Sequence, residues 1–358
     1  MLIKIGFLTF FLSSILCLVL IVLGRKEGKL LDNHDGVQNI HKEPVPRVGG
    51  LAILISCAIA LAIFAMRFKD INFMYLLLAA LPIFLAGIFE DIKQKLAPTV
   101  RLAISFISAF SAVFLLKTTI IRTGIFFLDY LTKYELIAAL FAAIAIAGVT
   151  NSINIIDGLN GLSSGTAMIL LLAIGYIAFK LQDFYVLSIA TILGAAILGF
   201  FIWNYPYGRI FLGDGGAYFV GFALIVISIL LVKRNSEISP WFPILVLIYP
   251  IFETLFSIYR RKIKKRQSPL YADRLHLHSL FYRRVIPYIF REHNRQISAN
   301  PATSPFIWIL CSFSIIPAVI LWKKTLFLII FSIFFVLIYL FIYKSIVSFK
   351  FNKMISFK

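Results

Sequence analysis

Apolar residues in this chain run in long, almost uncharged blocks separated by short polar stretches, and the blocks have the length needed to cross a lipid bilayer. A helix needs about 20 residues to span a hydrocarbon core of ~30 Å. Blocks of that kind lie at approximately 2–23, 48–66, 73–89, 99–117, 134–150, 162–180, 184–203, 214–232, 241–259, 304–322 and 325–343. Their apolar character is continuous rather than alternating every second residue, which selects helices over barrel strands. The pattern predicts an all-α fold, a polytopic transmembrane helical bundle of about eleven helices. It reads as one integral membrane domain over 1–358, with a basic loop at about 260–303. The block at 73–89 is interrupted by Pro82, and the one at 134–150 is barely long enough. The Leu2–Leu23 block imitates a signal peptide in position, but only Lys4 stands near its start and no small-residue cleavage site precedes Arg25. It is read as the first helix.

Composition sharpens this picture. Hydrophobic residues make up 61% of the 358 positions and charged ones 14%, against roughly 45–50% and about 25% in soluble domains. No detachable soluble domain is expected. Cys17, Cys57 and Cys311 are far apart inside apolar blocks, so neither a CxxC metal site nor a disulfide framework is indicated. The net charge of +19 does not imply nucleic acid in so apolar a chain. A bias of Lys and Arg toward one membrane face accounts for it.

That bias orients the bundle. With eleven crossings, the odd loops carry Arg25, Lys26, Lys29, Lys42, Arg47, Lys93, Lys95, Arg209 and the run from Arg260 to Arg295; the C-terminal tail adds four lysines to the same side. Even loops carry fewer basic residues. The odd loops and the C-terminus are therefore expected in the cytoplasm. The basic loop is also suited to anionic membrane lipids.

Five polar clusters stand in or beside odd loops. His41–Gly50 offers Lys42 and Arg47 to phosphate, next to stiffening prolines and glycines that allow close helix approach. Glu90 and Asp91 end the third block, where adjacent carboxylates beside lipid need a cation, a proton or water. Asn151, Asn154 and Asp157 recur every three residues before Gly158 and Gly161. On a helix they would span an arc of about 120°, and converging amide and carboxylate groups suit a polar ligand better than packing. Asn204 is followed by Phe211-Leu212-Gly213-Asp214-Gly215-Gly216, with an aromatic face at Phe211 and a hard oxygen donor at Asp214 of the kind Mg²⁺ takes alongside substrate phosphates. Arg274, His276 and His278 lie together in the basic loop, suited to an anion or to proton transfer. Two histidines without cysteine argue poorly for zinc.

In this order the clusters resemble the polyprenyl-phosphate N-acetylhexosamine-1-phosphate transferase family, from about His41 to Ser279. The resemblance implies transfer of a sugar-1-phosphate from a UDP-sugar to a polyprenyl phosphate such as undecaprenyl phosphate, with Mg²⁺ or alternatively Mn²⁺, releasing UMP. It implies a multi-pass protein of a bacterial inner membrane with its site on the cytoplasmic face, acting in cell envelope polysaccharide synthesis. On the matching positions, Asp214 would bind metal, with Asp91 beside it. Phe211 would pack on uracil, and Asn151, Asn154, Asp157 and Asn204 would lie on the nucleotide side. Lys42, Arg274, His276 and His278 would face phosphates, and Glu90 and Asp91 would engage metal and the attacking lipid phosphate. Glu90 and Asn160 stand where relatives commonly have aspartates, and Ser279 stands where many have another histidine. The last departure favours UDP-N-acetylglucosamine or a related UDP-N-acetylhexosamine over the muramoyl-pentapeptide substrate. A homodimer is compatible with the sequence, which does not fix the oligomeric state.

A secondary transporter is the alternative, since intramembrane carboxylates and glycine-broken helices also mark transport sites. Transport sites, however, lie near the midplane, whereas these clusters lie at helix ends. The topology has a direct test in cysteine labelling of intact cells. Single cysteines replacing Asn39 and Gln267 should resist an impermeant thiol reagent while one replacing Ser236 reacts, and labelling of the first two would overturn the orientation.

Overall fold

The computed structural model describes residues 1–27, 45–264, 275–289 and 295–348. They form α1 (Leu2–Glu27), α2 (Gly49–Phe68), α3 (Asn72–Lys93), α4 (Pro98–Leu116), α5 (Phe126–Leu131), α6 (Glu135–Ile156), α7 (Leu162–Lys180) and α8 (Phe184–Asn204). Then follow α9 (Gly213–Arg234), α10 (Trp241–Val246), α11 (Ile248–Tyr259), α12 (Leu277–Leu280), α13 (Ile286–Ile289), α14 (Arg295–Ile320) and α15 (Thr325–Val347). Among the described residues ten helices are long and apolar enough to cross a membrane. The chain is a polytopic helical membrane bundle.

Ten of the eleven expected blocks appear as single helices. Pro82 does not break α3, because the Ile83 N–H is taken up by the Ser108 hydroxyl of α4 at 3.0 Å. Neighbouring hydroxyls commonly rescue proline-disturbed backbone in lipid. The ninth block is different. It parts at Leu247 into α10 and α11, and Pro250 supplies the reason: it has no N–H for the carbonyl of Val246 and its ring crowds that position. The two pieces still run from one end of the bundle to the other. Ser239, just before α10, bonds Thr325 at the start of α15, whereas α11 leads to Arg260, which donates to the carbonyl of Leu275.

The hub is α9. It is buried along nearly its whole length and packs on α2, α3, α6, α7 and α8. α1 and α15, by contrast, keep much of their apolar surface turned outward. Two ends of the bundle are distinguished by what gathers there. At one, Arg122 donates to the carbonyls of Val232, Ser236 and Ile238, and Arg234 with Asn235 closes on the buried carboxylate of Asp183. At the other lie the first turn of α9, the last turns of α3 and α6, and the segment entering α2.

Glycine contacts set the depth of this second end. A Cβ built on Gly50 would fall 2.2 Å from the Gly216 Cα, and one on Gly87 2.4 Å from the Gly215 Cα. Both clashes are with backbone, so α2 and α3 can reach α9 only because these positions lack side chains. Gly50→Ala should lower the thermal midpoint in detergent, corresponding to about 1–3 kcal/mol of overpacking. Gly148→Ala meets nothing within 4 Å and should be neutral or slightly stabilising, since alanine is the better helix former. Equal midpoints for the two variants would contradict the packing argument.

Candidate active site

The site is assembled around the N-terminus of α9. Pro46 accepts from the N–H of Phe211 at 2.8 Å, and Gly49 and Gly50 donate to the carbonyls of Phe211 and Leu212 at 2.9 and 2.8 Å. This short pairing lays the segment carrying Arg47 against the segment carrying Phe211. Gly213 turns the chain into α9 with φ +77°, and a Cβ there would strike the Arg47 carbonyl at 2.3 Å.

Asp91 then closes the helix start. Its Oδ1 accepts from the Asp214 N–H at 2.8 Å and its Oδ2 from the Gly215 N–H at 3.0 Å. A carboxylate on two unsatisfied amides at a helix N-terminus is stabilised by both the bonds and the helix dipole. Asp214, in the first turn of α9, holds the Arg101 guanidinium through Oδ2 at 2.7 Å. Glu90 lies 3.7 Å from the same Arg101 and accepts from the Leu96 N–H at 2.8 Å. The side chains of Glu90, Arg101 and Asp214 keep between 16% and 20% of their surface open, so solutes can reach the trio.

The third cluster behaves differently from a uniform helical face. Asn151 and Asn154 sit on the last turns of α6, but the helix ends at Ile156 and Asp157 leaves it at φ −79°, ψ 67°. Asn151 donates to the Ser105 hydroxyl at 3.1 Å. Asp157 accepts from the Ser163 hydroxyl, and Arg47 lies within electrostatic reach of both Asp157 and Asp91. Asn160 donates to the Pro206 carbonyl at 3.0 Å while its own N–H binds Asn300. An aspartate at 160 could not donate to Pro206, which accounts locally for the amide. Asn204 bonds the Gly161 N–H at 2.7 Å and the Ile210 carbonyl at 2.8 Å, so it fastens the third cluster to the fourth.

His276 and His278 stack with centroids 5.4 Å apart and planes 3° from parallel. A Cβ on Gly158 would lie 3.2 Å from His278 Nε2, which places the histidine pair against the third cluster. Lys42 and Arg274 lie outside the described residues. Arg47, Glu90, Asp91, Asn151, Asp157, Asp214 and His278 thus come to one end of the bundle, with Arg101 among them.

Arg101 was not among the expected site residues, nor was Glu253, which accepts from His276. Each had a signal, being a lone charge inside an apolar block, where ionisable groups are costly and seldom idle. Ser105 and Ser163 carried no such mark.

For a divalent cation the donors fit in part. Asp214 offers a hard oxygen donor whose partner here is already a cation, Arg101. Each Asp91 oxygen has accepted one amide and retains one lone pair. Among the described residues no three His, Cys, Asp or Glu gather as a metal cage.

A family profile described as Glycosyl transferase family 4 matches residues 73–232. The chain is also 32% identical, over 246 residues, to a probable undecaprenyl-phosphate N-acetylglucosaminyl 1-phosphate transferase of Bacillus subtilis (strain 168), a match covering 67% of this chain and 66% of that relative. The chain belongs to glycosyl transferase family 4. An undecaprenyl-phosphate alpha-N-acetylglucosaminyl 1-phosphate transferase of Thermotoga maritima is 28% identical over 278 residues, 78% of this chain and 80% of the relative. A phospho-N-acetylmuramoyl-pentapeptide-transferase of Streptococcus agalactiae serotype Ia is 27% identical over 221 residues, 58% and 66% of the two chains. The family-4 profile takes in Glu90, Asp91, the third cluster, Asn204 and Asp214. Arg47 and the histidine pair lie outside it, and the fold brings them to the same place.

Burial raises the Asp157 carboxyl to about 6, against the opposing pull of the Ser163 hydroxyl and Arg47. An aspartate in an unfolded chain titrates near 3.9, so the folded state holds this proton more tightly. Stability from this group is therefore present at low pH and is lost as pH rises from about 4 through about 6. Asp157→Asn should flatten that part of the stability profile, measured as thermal midpoints between pH 4 and 8. An unchanged slope would remove Asp157 as its source.

Proposed function

We propose that this protein transfers an N-acetylhexosamine-1-phosphate, N-acetylglucosamine-1-phosphate foremost, from a UDP-sugar to a polyprenyl phosphate such as undecaprenyl phosphate, releasing UMP on the cytoplasmic face of a bacterial plasma membrane. The observation that carries the reading is the Asp91–Asp214–Arg101 constellation at the start of α9, open at a bundle end where a lipid headgroup and a soluble nucleotide can both arrive. The relatives' names point to the same chemistry, and family membership favours it over transport.

The reaction joins a phosphate monoester to a pyrophosphate, two anions that repel. Mg²⁺, with Mn²⁺ as the alternative, would be held by Asp214 and Asp91 together with pyrophosphate oxygens, and when bound supplies charge neutralisation and a better leaving group. Arg101 and Arg47 bring further positive charge to the same end, and His276 and His278 add imidazoles beside Gly158. Asn151, Asn154 and Asp157 read the nucleotide side, and Phe211 offers a ring to uracil. Asn204 holds the two loops that carry these groups. Positioning and electrostatics dominate such phosphoryl transfers, and the lipid phosphate is already an anionic nucleophile, so direct attack needs no covalent enzyme intermediate.

Purified protein incubated with polyprenyl phosphate, Mg²⁺ and a panel of UDP-sugars should form UMP and a glycolipid, with UDP-N-acetylglucosamine the best donor. Formation of neither product from any donor would sink the reading. Asp214→Ala should insert and elute like the parent yet lose turnover by on the order of a hundredfold or more. Near-normal Mg²⁺-dependent turnover in that variant would remove Asp214 from the site.

A further inference from the structure

Glu253 is a carboxylate in the middle of an apolar helix, only 1% exposed. It lies on α11, beyond the break at Leu247, and three donors from two segments, the turn at His276–Leu277 and α15, converge on it. His276 meets Oε1 through Nδ1 at 2.9 Å, the Leu277 N–H meets the same oxygen at 3.2 Å, and the Tyr339 hydroxyl of α15 donates to Oε2 at 2.7 Å. Burying a carboxylate in a membrane protein is costly unless its lone pairs are used. Here they are used to hold the turn that carries both histidines.

We propose that Glu253 is the positioning residue of the histidine pair, fixing His276 with its proton on Nδ1 so that the proton this ring gains or loses is always the one on Nε2. The chemistry follows from the partner. An ionised carboxylate only accepts, so the imidazole nitrogen facing it must carry hydrogen whether the ring is neutral or charged. The opposite edge alone is left to change. That edge is not the one held by Glu253, and the ring lies parallel to His278, whose Nε2 faces Gly158. Tyr339, itself fully buried, keeps Glu253 from turning aside. α15 thereby reaches the site through two hydrogen bonds. The functional value of this arrangement rests on the reading of His276 as a residue that faces substrate phosphate; the proton placement does not.

The experiment uses full-length protein with ¹⁵N-labelled histidine in detergent, His276→Asn serving to assign the ring signals. In the parent, the neutral His276 ring should show a protonated Nδ1 and a bare Nε2. In Glu253→Ala that preference should be lost and kcat should fall about tenfold to a hundredfold, as when an orienting partner behind a working imidazole is removed, with KM for the UDP-sugar changed far less. Glu253→Gln keeps an acceptor oxygen and should restore both the proton placement and most of kcat. A parent ring protonated on Nε2 would overturn the proposal without any variant, as would a folded Glu253→Ala protein with unaltered ring signals. Should Glu253→Ala fail to fold, Tyr339→Phe provides the milder perturbation, and retention of a full kcat by both it and Glu253→Gln despite altered ring signals would also overturn it. Because the spectra do not depend on turnover, a parent protein inactive with every UDP-sugar would fail the proposed function and leave this assignment standing.

Discussion

Everything at the polar end of the bundle depends on two amide hydrogens of α9 being received by Asp91. A helix start leaves several N–H groups without partners, and beside lipid there is little water to take them. The carboxylate of α3 answers two of them, and the same contact requires α3 and α9 to approach until Gly87 meets Gly215. Backbone proximity and charge placement are thus one constraint. Relaxing either would withdraw Asp214 from Arg101 and Arg47 from Asp91.

Among the described residues the charges near this point are held in compensating sets. Asp214 and Glu90 share Arg101, Asp157 has Ser163 and lies within reach of Arg47, and Glu253 draws three donors from two segments. Removing one member of such a set leaves a partner buried with its charge, and that penalty commonly exceeds what the intact pair contributes. The arrangement is also selective by place. Carboxylates gather where α9 begins, imidazoles beside Gly158, and the carbonyl-bound Arg122 at the other end, where it ties loops together.

Much of the fold was legible because lipid imposes a simple rule on sequence: long apolar blocks must become helices. The exceptions have local causes. Pro82 was survivable because Ser108 stood opposite it, a fact of packing that no single helix reveals, whereas Pro250 parted its helix. For the site, Asp91 and Asp214 could be brought together on the page because both flank apolar blocks at corresponding ends. The regular spacing of Asn151, Asn154 and Asp157 suggested one helical face, yet α6 stops at Ile156 and sends Asp157 elsewhere. Glu253 and Arg101 were visible as isolated charges, but which partners they would find, 23 residues away in one case and 113 in the other, is a property of the assembled bundle.

The burial of α9 has a further consequence for biogenesis. Helices leave the ribosome in order, so α2 and α3 enter the bilayer long before the hub they enclose. Until α9 arrives, Gly50 and Gly87 face lipid across shallow, notched surfaces that acyl chains fill poorly. α9 itself is apolar enough to insert alone, so it can join its neighbours laterally within the bilayer and needs no threading step. Between synthesis of α3 and docking of α9 these glycine surfaces lack the helix they fit. Substitutions at the glycine contacts would be felt first there, as lowered yield, before any enzyme is assayed.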